Sequence, residues 1–484
     1  MKRRLLQTAA CIMRKLISIG NILFLLCICF TCTPAHKEDS AKDIIKQQVR
    51  DRIDNGYSVG TAVVFIEDGK EEYFFYGYGN TARKEVINKK SVFEIGSVTK
   101  TFTALLLADL VKKGRITLDD PVDRFFPDSV RIPDYFGRKI TFADLATHMS
   151  GLPREPIGFN NTDLNNPYIA EDINKLYTGL KDWKLKRGAS RYEYSNLGIE
   201  VLGQTLALIS GKSFDQMLQE TICGPLQMFE TGTKNSSPYF TTGHMGMTPV
   251  AHWDLNALKP AGGIHSNAED LARYIKAQMG LPISDLKSAM DLTHKPRATI
   301  GANTRIGLLW NITSVKNDEI ISHSGATGGY RAFVAFSPKI KKGIILLNNS
   351  GQQQDDLGMY FFDQTAKIPT LNQPILVSVV SLRANVGYYR LSAEVNGKIQ
   401  DQELHVKLEN NQLLVKIGGL PYIPVYPRSE SIFFTKGPEA YIEFKKNTSG
   451  VVDKMLLPQG TQTLAATRIF KTVNSSVPAS PKEL

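Results

Sequence analysis

Over residues 43–54 the apolar positions Ile44, Ile45, Val49 and Ile53 fall on one side of a helical period, which predicts a helix. The spacing then shortens to that of strands. Residues 59–67 and 72–79 are dense in β-branched and aromatic side chains and are joined through Asp68-Gly69, the dipeptide of a tight hairpin. Next, Phe102, Leu105, Leu106 and Leu110 line one face of a strongly amphipathic helix over 101–113, and Gly114 suits the left-handed residue that ends it. Residues 134–183 are rich in Pro, Gly, Asn and Asp and predict long surface loops of the kind that shape a binding cleft. Helical spacing returns over 197–210, 214–220 and 268–279, and Phe333 to Phe336 and Gly343 to Leu347 then form uninterrupted apolar runs, the mark of buried strands.

After about Thr370 the helical period disappears and short alternating runs replace it. Leu404, Val406 and Leu408 face one way, Asn410-Asn411 makes a turn, and Leu413, Val415 and Ile417 answer them. The predicted organisation is therefore a mixed α/β (α+β) body over residues 40–365, an antiparallel sheet flanked by helices. A small C-terminal all-β domain over 375–470, a sandwich or lipocalin-like barrel, and a loose tail over 471–484 follow. A chain of 484 residues is long enough for two cores.

Composition is ordinary for a globular protein, with 42% hydrophobic and 22% charged residues. The formal charge of +11 owes five of its cations, Lys2, Arg3, Arg4, Arg14 and Lys15, to the first stretch, and without them it is +6. Those cations precede an apolar run from Leu16 to Phe30, so residues 1–32 read as an export leader, and Met13 is an alternative start that would give a more typical one. Cys32 stands where a bacterial lipoprotein carries its lipid, with Cys29 upstream a poor match; lipoprotein, soluble secreted protein and uncleaved anchor are the alternatives, in that order. The expected location is the bacterial cell envelope, with membrane contact only through the leader or a lipid. Beyond the leader only Cys223 remains of five cysteines, which excludes an intrachain disulfide framework and makes Cys223 a small core residue. No Lys/Arg run is interleaved with aromatics, so nucleic acid is not an expected partner.

Three short motifs carry candidate chemistry, and each has a decoy. Ser97-Val98-Thr99-Lys100 is matched by Ser284-Asp285-Leu286-Lys287, Tyr194-Ser195-Asn196 by Tyr78-Gly79-Asn80, and His323-Ser324-Gly325 by His244-Met245-Gly246. Taken singly, a Ser at a helix start is ordinarily an N-cap, a Tyr a packed ring and a Lys a solvated charge. Context separates them. Gly96 permits a turn into the predicted helix, which sets Lys100 one turn from Ser97 on the same face, and the helix N-terminus favours negative charge developing at an attacked carbonyl. Ser284 has no preceding Gly and reads as surface. His148 reads as a structural loop residue, and His252 and His265 lack metal-ligand spacing.

At these residues the chain resembles the class C β-lactamase and serine DD-peptidase family of penicillin-recognising hydrolases. The stretch Phe93 to Thr103 is similar to the family's nucleophile helix. Leu118-Asp119-Asp120-Pro121-Val122, Leu145 to Pro153, Ala261-Gly262-Gly263-Ile264 and His323 to Tyr330 follow in family order. The resemblance spans about residues 43–351. It implies a β-lactamase/transpeptidase-like fold and an acyl-enzyme mechanism with no cofactor and no metal. It also implies Ser97 as nucleophile, Lys100 and Tyr194 as the groups that take its proton, with Tyr194 the direct base if held as phenolate. Asn196, His323, Gly325 and Ala326 are then expected to bind substrate, with the backbone N–H groups of Ser97 and Ala326 forming the oxyanion hole.

One departure bears on the substrate. Class C β-lactamases carry Lys where this chain has His323, and a histidine is charged only part of the time near neutrality. A β-lactam or D-alanyl-type amide is the expected substrate, small molecule or peptide, with cell-wall peptidoglycan as a possible partner. An esterase or D-aminopeptidase-like hydrolase comes second, and a non-hydrolysing penicillin-binding receptor third.

Overall fold

The computed structural model describes residues 40–469 apart from 160–162, 187, 189–190, 235–236, 396–397 and 460–461. The leader with Met13 and Cys32, and the tail over 471–484, lie outside the described residues. Nine strands form one antiparallel sheet: β1 (Gly60–Glu67), β2 (Lys70–Asn80), β3 (Glu85–Val86), β4 (Ala298–Thr299), β5 (Thr304–Ile306), β6 (Asn311–Val315), β7 (Asp318–Ala326), β8 (Arg331–Ser337) and β9 (Lys342–Asn348). Their order is β3-β2-β1-β9-β8-β7-β6-β5-β4. The early hairpin thus completes a sheet whose other half comes from the end of this body, with Thr61 opposite Asn348 and Glu67 opposite Lys342. The hairpin turn uses Asp68 at φ 48° and Gly69 at φ 78°, the pair of positive angles a two-residue turn needs.

Five helices matter for the site: α1 (Ala41–Asp54), α2 (Thr99–Lys112), α3 (Asn196–Ser210), α4 (Ala268–Gln278) and α5 (Asp355–Tyr360). One face of the sheet, with Val63, Phe65, Phe333 and Ile344, packs against Ile45 and Val49 of α1 and Leu357 of α5. The other, with Val64, Ile66, Val334 and Ile345, packs against α4 and shares one continuous core with α2 and α3. Cover on both faces is why these strands read as continuous apolar runs. The described fold is the antiparallel sheet flanked by helices that the sequence predicts.

Helix α2 differs from its prediction: it is buried continuously from Thr99 to Asp109 instead of being amphipathic. Its threonines look polar in sequence, but each hydroxyl is satisfied inside the protein. Thr101 Oγ1 donates to Val98 O at 2.8 Å, Thr103 Oγ1 donates to Pro260 O at 2.7 Å, and Thr99 Oγ1 accepts from Ile264 N at 3.1 Å. The loop region contains two short helices, Phe142–Ala146 and Ile173–Asp182, started by the side-chain caps Thr141 and Asp172. The predicted helix over 214–220 is α-helical only over Phe214–Met217 and continues as a π turn, Leu218–Cys223, which ends at the buried Cys223.

Past a connecting segment, eight strands from Gly387–Val395 to Gln462–Ile469 pair in chain order and close into a barrel. Leu404, Val406, Leu413 and Val415 fill it, as their alternation predicts, and Asn410 and Asn411, at φ 50° and 60°, make the turn between them. The helix Val379–Ala384, absent from the sequence prediction because six residues show no period, sets Leu382 in the barrel core. No helix among the described residues is long and apolar enough to cross a membrane.

Glu200 of α3 is 2% exposed, and burial, reinforced by Glu171, pushes its carboxyl up to about 8. The folded chain therefore holds a proton that the unfolded chain releases above about pH 4.3. Its stabilising protonated state is complete at low pH and is lost as pH rises towards 8. Glu200→Gln is expected to narrow the difference in Tm between pH 5 and pH 8.5 by several degrees, as read by thermal denaturation at both values.

Candidate active site

Ser97 lies in a single 3₁₀ turn, Gly96–Val98, that leads directly into α2. Two glycines let this turn lie against the edge of β7. Gly96 takes φ 48°, and a Cβ there would stand 2.6 Å from Ala326 N. A Cβ on Gly325 would stand 1.9 Å from Ile95 O and 3.1 Å from Ser97 N. Only hydrogen fits at either position, so the backbones of Ser97 and Ala326 come side by side.

Lys100 is fully buried. Its Nζ lies 3.0 Å from Ser97 Oγ, 2.9 Å from Asn196 Oδ1 and 2.6 Å from Ala261 O. Burial, aided by the Arg154 charge and opposed by Glu155, brings its pKa down to about 7. A neutral amine has two N–H groups and one lone pair. Ala261 O and Asn196 Oδ1 are both acceptors, so they take the two N–H groups and the lone pair faces the Ser97 hydroxyl.

Tyr194 donates from its hydroxyl to Ser97 Oγ at 2.8 Å. Its pKa is pushed up to about 12 by burial, which outweighs the Ser97 hydrogen bond and the Arg154 charge. The condition for Tyr194 to be the direct base, a phenolate held by nearby cations, is not met, because those cations do not repay desolvation of the anion. His323 also departs from expectation. Burial and the Lys100 charge lower it to about 4, so it is neutral at pH 7 instead of part-charged. Its Nδ1 lies 2.7 Å from the carbonyl oxygen of Ser324 and must carry the proton, which leaves Nε2 as an acceptor.

Asn196, expected to orient a substrate amide, is held on both ends by protein. Oδ1 accepts from Lys100, and Nδ2 faces the Glu155 carboxylate at 3.3 Å. His148 is a brace, in line with its reading as a structural residue: its O accepts from Glu193 N at 2.8 Å and its Nδ1 from Ser195 N at 3.2 Å, which fixes the segment carrying Tyr194. Sequence reasoning missed Arg154 and Glu155. The Arg154 guanidinium lies 4.9 Å from the centre of the Tyr194 ring, and Glu155 takes Asn196 and the Tyr168 hydroxyl, at 3.1 Å from the latter. Forty residues separate the pair from Tyr194, so no spacing signals them.

A cleft of about 320 Å³ opens on this group, lined by Ser97, Arg154, Tyr194, His323, Gly325 and Ala326 among others. The decoys lie elsewhere. Ser284 is half-buried, not on the surface as expected, with its hydroxyl lacking a partner among the described residues, and Lys287 is turned to Asp291. His244 donates from Nδ1 to Asn349 O at 3.1 Å, and Tyr78 is exposed.

The model of the family described as Beta-lactamase matches residues 45–364. The chain belongs to the beta-lactamase family. Among curated relatives, D-alanyl-D-alanine-carboxypeptidase/endopeptidase AmpH of Escherichia coli (strain K12) is 28% identical, over 63% of this chain and 83% of that protein. The beta-lactamase of the same strain is 27% identical over 67% and 93%. Among solved structures, the octameric penicillin-binding protein homologue from Pyrococcus abyssi superposes with a TM-score of 0.60 at 22% identity, covering 87% of this chain and 99% of that one. That likeness concerns the fold, and its coverage reaches beyond the family match into the C-terminal barrel.

Proposed function

We propose that this beta-lactamase family member is a serine acyl-enzyme hydrolase of the cell envelope, acting on a β-lactam or D-alanyl-type amide. The observation that carries this reading is the Ser97 oxygen held between Lys100 Nζ at 3.0 Å and the Tyr194 hydroxyl at 2.8 Å, with burial lowering the lysine pKa to about 7 and keeping the tyrosine protonated. Ser97 Oγ attacks the carbonyl carbon while its proton passes to Lys100 Nζ, and the carbonyl oxygen becomes an oxyanion facing the backbone N–H groups of Ser97 and Ala326. Tyr194 donates its proton to the leaving nitrogen as the C–N bond breaks. Lys100 hands the proton it took on to the Tyr194 phenolate, which restores both groups. Water then attacks the acyl-enzyme as Lys100 takes its proton, the Oγ–carbonyl bond breaks, and that proton passes to Ser97 Oγ as the acid leaves. The leader supports export, and peptidoglycan is the envelope polymer whose D-alanyl amides fit this chemistry.

The neutral His323 favours a second reading, an esterase or D-aminopeptidase-like hydrolase, because a neutral imidazole holds a carboxylate without charge attraction. Mass spectrometry after a brief β-lactam exposure separates the readings. A transient adduct with turnover indicates a lactamase. A persistent adduct on Ser97 indicates a penicillin-binding peptidase or a non-hydrolysing receptor, and turnover of a D-alanyl peptide then identifies the peptidase. No adduct together with hydrolysis of short-chain esters indicates the esterase.

A further inference from the structure

One wall of the cleft is built from Ser324, Arg331, Gln353 and Asp355, none of which the proposed reaction uses. A wall that receives a carboxylate offers it a free hydroxyl or an uncompensated cation. Here the hydroxyl is already engaged, and the Arg331 guanidinium, although it forms no ion pair among the described residues, has a carboxylate within electrostatic reach. The Ser324 hydroxyl, with its single proton, donates to Asp355 Oδ2 in a short hydrogen bond. Arg331 donates through Nη1 to Thr327 O at 3.2 Å and Tyr330 O at 3.1 Å, and its buried Nε has no partner among the described residues. Asp355 stands at the start of α5, where burial and the neighbouring Asp356 charge raise its carboxyl pKa while the Ser324 hydrogen bond and the Arg331 charge hold it down.

The compensation repeats across the cleft. Arg154 has Glu155 beside it at 3.4 Å, as Arg331 has Asp355 within electrostatic reach. His323 is neutral at pH 7. A carboxylate entering against Ser324 would meet the Asp355 charge at close range and would have to displace a hydrogen bond already made.

We infer that Asp355 sets the charge class of the substrate: by engaging the Ser324 hydroxyl and offsetting Arg331, it selects acyl donors that place no free carboxylate against this wall. Among the substrates proposed above it favours an internal D-alanyl amide or an ester over a β-lactam or terminal D-alanyl peptide that carries a free carboxylate. The inference rests on the acyl-enzyme reading of Ser97.

Benzylpenicillin and its methyl ester differ in that one charge, so the ratio of their Ser97 acylation rates, acid over ester, reads the wall directly. In the wild-type chain the ester is expected to react faster. Asp355→Asn is expected to raise the ratio at least tenfold, Arg331→Gln to lower it, and the double variant to lose the gain. Opposite signs from two neighbouring substitutions separate this effect from a general loss of structure. A ratio within twofold of wild type in Asp355→Asn, or shifts of the same sign in both single variants, overturns the inference while leaving the acyl-enzyme reading intact. If neither compound nor a fluorophosphonate modifies Ser97 in any variant, the acyl-enzyme reading falls and takes the inference with it.

Discussion

Ser97→Ala is expected to remove every covalent adduct and to lower turnover of any substrate by about 10⁶-fold, the loss seen when a serine hydrolase is deprived of its nucleophile. Lys100 Nζ and Tyr194 keep their other contacts, and the chain is expected to stay folded, because Ser97 lies in a turn held by the Gly96 and Gly325 approach and not by its hydroxyl. The check is intact-protein mass spectrometry with a fluorophosphonate, run beside thermal denaturation. Ser284→Ala serves as the matched control and should leave the adduct unchanged and shift stability by no more than about 0.5 kcal/mol, the range of an ordinary substitution away from such a site. A Ser97→Ala variant with an undiminished rate would sink the proposed function.

Lys100→Met is expected to cut acylation by about 10²–10⁴-fold, the range for loss of a positioned general base. The pH profile tests the lysine more sharply. With its pKa at about 7, Lys100 has a lone pair only above that pH, so acylation should fall as pH drops through 7. Arg154 lowers that pKa by like charge and Glu155 raises it, so Arg154→Ala should move the acidic limb to higher pH and Glu155→Gln to lower pH. Acylation rates between pH 5 and 9 in the three proteins give the answer. A profile flat through pH 7, or limbs that move the same way in both variants, contradicts a lysine base.

The largest departures from the sequence reading concern charge. Nothing in Tyr194-Ser195-Asn196 indicates that the tyrosine is buried deeply enough to stay protonated, or that His323 loses its proton. Both follow from desolvation, which depends on what packs around a group and so has no local signature. Helix α2 departs from its pattern for a related reason, since a threonine hydroxyl is polar in a sequence pattern but packs in the core once Pro260 O or Val98 O accepts its proton. The barrel was easier, because its alternation is local and its Asn410-Asn411 turn declares itself.

The sequence by itself determined the order of elements and the mixed body followed by an all-β domain, because periodicity and turn residues are properties of neighbouring positions; the candidate set Ser97, Lys100, Tyr194, Asn196, His323, Gly325 and Ala326 is what its resemblance to the family's ordered motifs implies. The tertiary structure alone decided which of these groups share protons. Lys100 meets Asn196 and Ala261 across 96 and 161 residues of chain, and those two acceptors are what turn its lone pair towards Ser97. Arg154 and Asp355 reach the cleft, and Glu155 reaches Asn196 behind it, in the same way, since burial and charge are summed over everything packed in space, wherever it lies along the chain.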